Sequence, residues 1–387
     1  MARMLSRRLF LGAAGALSAL PSASARGAAP LPALRRRRLG RTGLSVTELG
    51  AGCEAVSDVA VLKQALDLGV NFFDTARSYQ AGNNERFLRA ALGSRRNDVV
   101  LATRSYANDA RGLAADLDAS LEALGVAELD VWYIGNKNDP AEVTDEMLEV
   151  QRKAQQAGKV RFRGLSVHSL HRMTDFVLDR GRFDVVQIPY NFAIGTRRDP
   201  MRFDGANLDR CLTRLASADV GVVAIKVMAG GYGGRKPDDP LYRTYQQPGA
   251  HEAALRWVLR DARIHTTSVR MVDVDQLEAN VRATAAGFSA QDERVLAARV
   301  DEIAPRYCRM CGGCVGSCVR GLEVATLVRC VSYADGYGAF GMGAERWAEL
   351  APSQRDVRCD ECAACAVDCP NGVRVRHQLL RARELYG

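Results

Sequence analysis

From about residue 44 to residue 285 short apolar runs alternate with longer segments whose apolar positions recur every three or four residues. The apolar runs are Ser45 to Cys53, Asn71 to Ala76, Val99 to Arg104, Leu129 to Gly135, Val160 to Val167, Val185 to Tyr190, Gly221 to Val227 and Ile264 to Val272. Amphipathic stretches such as Asp58 to Leu66 and Asp116 to Leu124 follow them with helical spacing. Eight strand and helix pairs in about 240 residues predict an α/β fold, a (β/α)8 barrel over residues 34–300, with its site at the carboxyl ends of the strands. The pattern changes after residue 300, and residues 301–387 are expected to form a second, small domain.

The composition is that of a folded soluble chain, 47% hydrophobic and 25% charged over 387 residues. Its net charge of +8 comes with no basic stripe interleaved with aromatics, so no nucleic-acid partner is expected. Arg35 to Arg38 read as a solvated start to the folded part. Only six of the basic residues are lysine.

Residues 1–30 carry Arg7-Arg8 before Leu9-Phe10-Leu11, an apolar run to Leu20 and the small residues Ala23-Ser24-Ala25. This resembles a twin-arginine signal, which implies the twin-arginine translocase as a partner and a periplasmic destination reached already folded. The run is too short to span a bilayer comfortably, so no integral span is expected in the mature chain, and a retained signal would leave the protein held at the membrane.

Eight of the eleven cysteines fall into two copies of C-x2-C-x2-C-x3-C: Cys308, Cys311, Cys314, Cys318 and Cys359, Cys362, Cys365, Cys369. That spacing, with Pro370 after the second copy, is an iron-sulfur loop; the alternatives are zinc and disulfides. The motif resembles that of two-cluster ferredoxins, where the fourth cysteine serves the other cluster. The resemblance implies two [4Fe-4S] clusters, one on Cys308, Cys311, Cys314 and Cys369, the other on Cys359, Cys362, Cys365 and Cys318, in a ferredoxin-like module. The intervening residues 321–358 are expected to be helical and to dock that module on the barrel. Cys53, Cys211 and Cys330 read as small buried apolar residues.

The strand ends resemble the aldo-keto reductases: Asp74-Thr-Ala-Arg-Ser-Tyr79 with Glu85, then Leu129-Asp130-Val-Trp-Tyr-Ile, Gly158 to Ser166, Val186-Gln187-Ile-Pro-Tyr190-Asn191, and Gln276 to Asn280. The resemblance implies hydride exchange between NADP(H) and a small carbonyl or alcohol. Of the family's aspartate, tyrosine, lysine and histidine, Asp74 and Tyr79 match, Arg104 stands at the lysine position and Gly135 at the histidine position. Arg104 keeps the positive charge that favours proton transfer from a phenol. Gly135 offers no side-chain donor, so a histidine restored there is expected to raise activity; Lys137, on the same side of an extended strand, reads as a solvated loop lysine, with replacement of that donor as the alternative. For the cofactor the resemblance implies Ser166 and Gln187 on the carboxamide, Tyr190 stacked on the nicotinamide, Asn280 kept near the last barrel helix, where the family's usual arginine and glutamate are Gln276 and Ala279, and Arg270 on a 2′-phosphate. Glycines 230, 231, 233 and 234 suit a loop over pyrophosphate. His168 reads as a surface residue at a helix start.

Two functions follow from this sequence. One is an exported oxidoreductase with clusters wired to a redox partner, because a hydride carries two electrons and a cubane usually moves one. The other is a degenerate barrel that carries electrons or binds a partner.

Overall fold

The chain enters through an antiparallel pair, β1 (Arg36–Arg38) and β2 (Ser45–Thr47), and then builds a closed parallel barrel. Its staves are β3 (Leu49–Gly52), β4 (Phe72–Asp74), β5 (Val100–Ser105), β6 (Leu129–Ile134), β7 (Val160–Ser166), β8 (Val185–Pro189), β9 (Gly221–Ile225) and β10 (Thr266–Arg270), and β10 returns to β3. This computed structural model describes residues 30–54, 56–179, 182–194, 205–229 and 249–387. The leader and the glycines at 230–234 lie outside them.

Most staves are buried along their whole length, as expected of strands covered by helices outside and packed side chains inside. Leu39, Val46, Phe72, Val100, Val131, Tyr133, Val185 and Val223 fill the barrel, so the interior is a core and not a pore. Helices such as Val59–Asp67, Ala110–Leu124 and Val274–Thr284 start on Asp58, Asp109 and Asp273, whose carboxylates accept from free backbone N–H groups of the first turn.

Two expectations are corrected here. The run Ser45 to Cys53 is two elements, split at Glu48. Arg35 to Arg38 are not simply solvated: Arg35 and Arg37 donate to the buried Glu48 carboxylate at 3.0 and 2.8 Å, and Arg38 pairs with Asp219 at 2.8 Å. A buried carboxylate needs cationic partners, and that need recruits the arginine run to the barrel.

No strand follows Arg270 among the described residues. Helices Ala290–Ile303, Val324–Val331, Phe340–Ala348, Pro352–Arg355 and Val375–Tyr386 make up most of the regular structure after the last barrel helix. Leu327, Val328, Trp347 and Leu379 form a separate small core there, with Cys308, Cys314, Cys318 and Cys369 packed against it. The likeness to ferredoxins is therefore one of cysteine spacing, not of sheet topology. The segment between the cysteine loops docks on the barrel mouth, as expected: Arg270 donates to the Tyr337 carbonyl at 2.9 Å, and the Lys226 ammonium lies 4.9 Å from the Tyr333 ring centre.

Candidate functional site

Five strands bring polar side chains to one level at their carboxyl ends. Arg104 of β5 pairs with Asp74 of β4, donates from Nη1 to Gln187 Oε1 of β8 at 2.5 Å, and from Nε to the Thr75 carbonyl at 3.2 Å. Asp74 Oδ2 also accepts from Gln187 Nε2 at 2.9 Å and Ser268 Oγ of β10 at 2.7 Å. Ser166 of β7 donates to Gln187 Oε1 at 3.0 Å. Both charges are almost wholly buried. Such a pair survives burial only with further hydrogen bonds around it, and the arginine fork supplies more donors, held in one plane, than an ammonium does.

Above this network opens a cavity of about 700 Å³, within the range of small-molecule and cofactor sites. Asp74, Tyr79, Arg104, Ser166, Ser268, Arg270 and Asn280 line it. Gln80 and Ala81 take positive φ of 52° and 53°, which turns the chain sharply after Tyr79 and presents its ring at the mouth. Burial pushes the Tyr79 phenol well above its usual value, and the Arg104 guanidinium, 5.8 Å from the ring centre, opposes that rise. Asp74 Oδ1, Asn136 Oδ1 and His168 Nδ1, in residues that line the cavity, are buried without a hydrogen-bond partner among the described residues.

Several expected residues fall elsewhere. Gln187 is fully buried beneath the cavity, its amide occupied by Arg104, Asp74 and Ser166. Tyr190 is turned into the barrel wall, where its ring packs 5.0 Å from Trp257 and its hydroxyl donates to Asp261 at 2.8 Å, so it offers no face to a nicotinamide. Arg270 lines the cavity but spends one donor on the Tyr337 carbonyl, with Asp273 and Asp275 in the same wall. Lys137 is buried, donates to Asn108 at 2.5 Å and is not among the residues that line the cavity. His168 lines the cavity instead of the surface; burial, with Arg329 and Lys226 adding to it, keeps its imidazole neutral.

Sequence reading missed Glu54, Tyr106, Tyr333, Tyr337 and Arg346, all in the cavity wall. Burial raises the Glu54 carboxyl, against Lys226, Arg270 and Arg104, which lower it. One signal was available: Tyr106 follows Arg104 by two residues, and such a pair shares a face when the strand continues. Arg346 and the tyrosines come from the segment between the cysteine loops, and no local pattern ties them to the barrel.

All eleven cysteines are free thiols, so the disulfide alternative is not seen. The Cys369-Pro370-Asn371 stretch lies on the first loop: Asn371 Nδ2 donates to Cys311 Sγ at 3.3 Å, and Pro370 lies 3.4 Å from the position of a Cβ at Gly313. Burial pushes the Cys308 thiol up to about 12, and Cys314, Cys311 and Cys369 add to the rise. Burial likewise raises Cys359, with Cys318, Cys365 and Cys362 adding to it. Arg320 and Glu361, 3.4 Å apart, tie the two loops together at Cys318 and Cys362. Among the described residues no group of three or more His, Cys, Asp or Glu is gathered closely enough to hold a metal ion.

An eight-stranded parallel barrel whose strand ends gather an aspartate, a tyrosine and a buried cation around a cavity defines an α/β-barrel oxidoreductase. The profile of the "Aldo/keto reductase family" matches residues 46–242, just over half of the chain, and the chain belongs to that family. It is 25% identical over 233 residues to the "Uncharacterized oxidoreductase YqkF" of Bacillus subtilis, covering 56% of this chain and 72% of that protein. It is 28% identical over 287 residues to the "L-galactose dehydrogenase" of Arabidopsis thaliana, covering 64% of this chain and 87% of that protein. The holo-form structure of "aldo-keto reductase AKR11C1 from Bacillus halodurans" matches with a TM-score of 0.57 and 25% identity, over 68% of this chain and 96% of that one.

Proposed function

We propose that the protein is an aldo-keto-reductase-type oxidoreductase that reduces a small carbonyl with a nicotinamide dinucleotide and carries two [4Fe-4S] clusters wired to a redox partner. The observation that carries the first part is that Asp74 Oδ1, Asn136 Oδ1 and His168 Nδ1, in the cavity wall, lack hydrogen-bond partners among the described residues. Buried polar atoms without partners are uncommon, and two of these are pure acceptors. A nicotinamide riboside presents the matching donors, a carboxamide NH2 and ribose hydroxyls. When bound, the nicotinamide supplies a hydride to the carbonyl carbon. Tyr79, its phenol kept protonated by burial, gives its proton to the carbonyl oxygen. Arg104 holds the positive field beside that phenol and is itself fixed by Asp74 and Gln187. The 2′-phosphate of NADP fits less well than the nicotinamide: Arg270 is partly engaged by Tyr337, and Asp273 and Asp275 stand near it.

Cys308, Cys311, Cys314 with Cys369 and Cys359, Cys362, Cys365 with Cys318 are proposed to hold the two clusters. The repeated C-x2-C-x2-C-x3-C spacing supports this reading, and so does the stretch after Cys369 that lies on the first loop, where Asn371 Nδ2 donates to Cys311 Sγ. Export through the twin-arginine route, rested on Arg7-Arg8, completes the proposal. Beyond a cytoplasm that replenishes the dinucleotide, a working enzyme must carry it tightly bound. The test is to denature purified protein and analyse the supernatant. NADP or NAD recovered near one per chain supports the reading; an empty protein that also ignores millimolar NADPH and NADH overturns it in favour of an electron carrier.

A further inference from the structure

A side chain at position 135 has no room. A Cβ built on Gly135 meets the Tyr106 ring at 2.8 and 2.9 Å and the Ser105 carbonyl at 2.8 Å. The Tyr106 ring therefore occupies the place just past the end of β6 where a longer side chain would project. Its hydroxyl lies 3.4 Å from that of Tyr79, both rings line the cavity, and the Arg346 guanidinium sits 4.0 Å from the Tyr106 ring centre.

We propose that Tyr106 is a second catalytic hydroxyl: paired with Tyr79, it donates a hydrogen bond to the reacting oxygen while Tyr79 transfers the proton. The proposal rests on the reductase reading of the cavity. It explains why the site functions with glycine at 135, since the donor arrives from β5 instead of β6. Arg346 is a positioning residue. Stacked on the outer face of the ring, it holds the hydroxyl toward Tyr79 and stabilises negative charge that spreads onto the pair. No covalent or redox step is added; the proton still leaves Tyr79, and Tyr106 keeps its own.

The experiment has two arms. In the first, the intact protein is labelled with 3-fluorotyrosine without added cofactor, and the Tyr79 resonance is assigned by its loss in Tyr79→Phe. A hydroxyl that donates to the phenolate lowers the phenol's pKa, so Tyr106→Phe is expected to move the Tyr79 titration upward by half a unit or more. An unmoved titration overturns the proposal. In the second arm, NADPH and 4-nitrobenzaldehyde serve as probes: Tyr106→Phe is expected to lower kcat about a hundredfold with little change in KM, as losing one oxyanion donor does. Arg346→Gln should lie between it and the parent, and Tyr106→Phe at parental kcat overturns the proposal. If the protein turns over no carbonyl, the reductase reading and the catalytic role of Tyr106 fall together; measurable turnover with an unmoved Tyr79 titration, or with parental kcat in Tyr106→Phe, overturns the proposal alone.

Discussion

Arg104 donates to Gln187 across the barrel, Nη1 to Oε1 at 2.5 Å, and the same guanidinium grips Asp74. One fork thereby ties β4, β5 and β8 at the level of the site. Replacing Arg104 with methionine strands the buried Asp74 carboxylate, and the expected loss is about 3–5 kcal/mol. Arg104→Lys still reaches Asp74 but abandons Gln187 and the Thr75 carbonyl, for an expected loss of about 1–3 kcal/mol. Urea midpoints of the two variants, read by far-ultraviolet dichroism, check the order.

Gly135→His is expected to damage the protein, not improve it. The new side chain must displace the Tyr106 ring and approach the Ser105 carbonyl, and overpacking of this kind costs about 1–3 kcal/mol. Tyr106→Ala in the same chain opens the space, so the double variant should be more stable than Gly135→His alone. Thermal midpoints of the two single variants and the double variant decide it.

Tyr133 is fully buried inside the barrel, its ring 5.7 Å from Arg104 and its hydroxyl without a hydrogen-bond partner among the described residues. Tyr133→Phe keeps the ring and removes a hydroxyl that folding strips of water, so it should stabilise by about 1 kcal/mol. Burial also holds the Tyr133 and Tyr79 phenols well above their ordinary value. A raised folded pKa means stability present below the unfolded value, about 10, and lost as pH rises toward the folded one. The alkaline limb of the stability profile should therefore flatten in Tyr133→Phe.

The crossed cysteine sets make an asymmetric expectation. Purified anaerobically, the protein should hold about eight irons. Cys369→Ser should disturb the cluster of Cys308, Cys311 and Cys314, and Cys318→Ser the one of Cys359, Cys362 and Cys365. Cyano-trapping of each loop's exposed thiols followed by peptide mapping tells the two apart, and labelling confined to the substituted cysteine's own loop would contradict the crossing.

The barrel was legible because buried parallel strands leave continuous apolar runs, and Asp74, Tyr79, Arg104, Ser166 and Asn280 were legible because they lie at or near strand or helix ends with family spacing. Gln187 and Tyr190 sit where the pattern puts them along β8 and just past its end, yet the sequence did not say which way their neighbours pull. Gln187 is drawn into the floor by a fork longer than lysine, and Tyr190 outward by Asp261 and Trp257. Arg346 and Tyr337 were hidden for a different reason. Their roles come from docking the segment between the cysteine loops on the barrel mouth, a contact between residues some 240 positions apart in the case of Arg346 and Tyr106.

The most direct test of the reductase reading is isotopic. The protein is mixed anaerobically with NADPH deuterated at both C4 positions and with 4-nitrobenzaldehyde, and the alcohol is analysed by mass spectrometry. Expected is one deuterium at the alcohol carbon, abolished in Tyr79→Phe. An alcohol formed without deuterium, or deuterium transfer that survives Tyr79→Phe at the parental rate, would contradict direct hydride transfer at the Asp74, Tyr79 and Arg104 site.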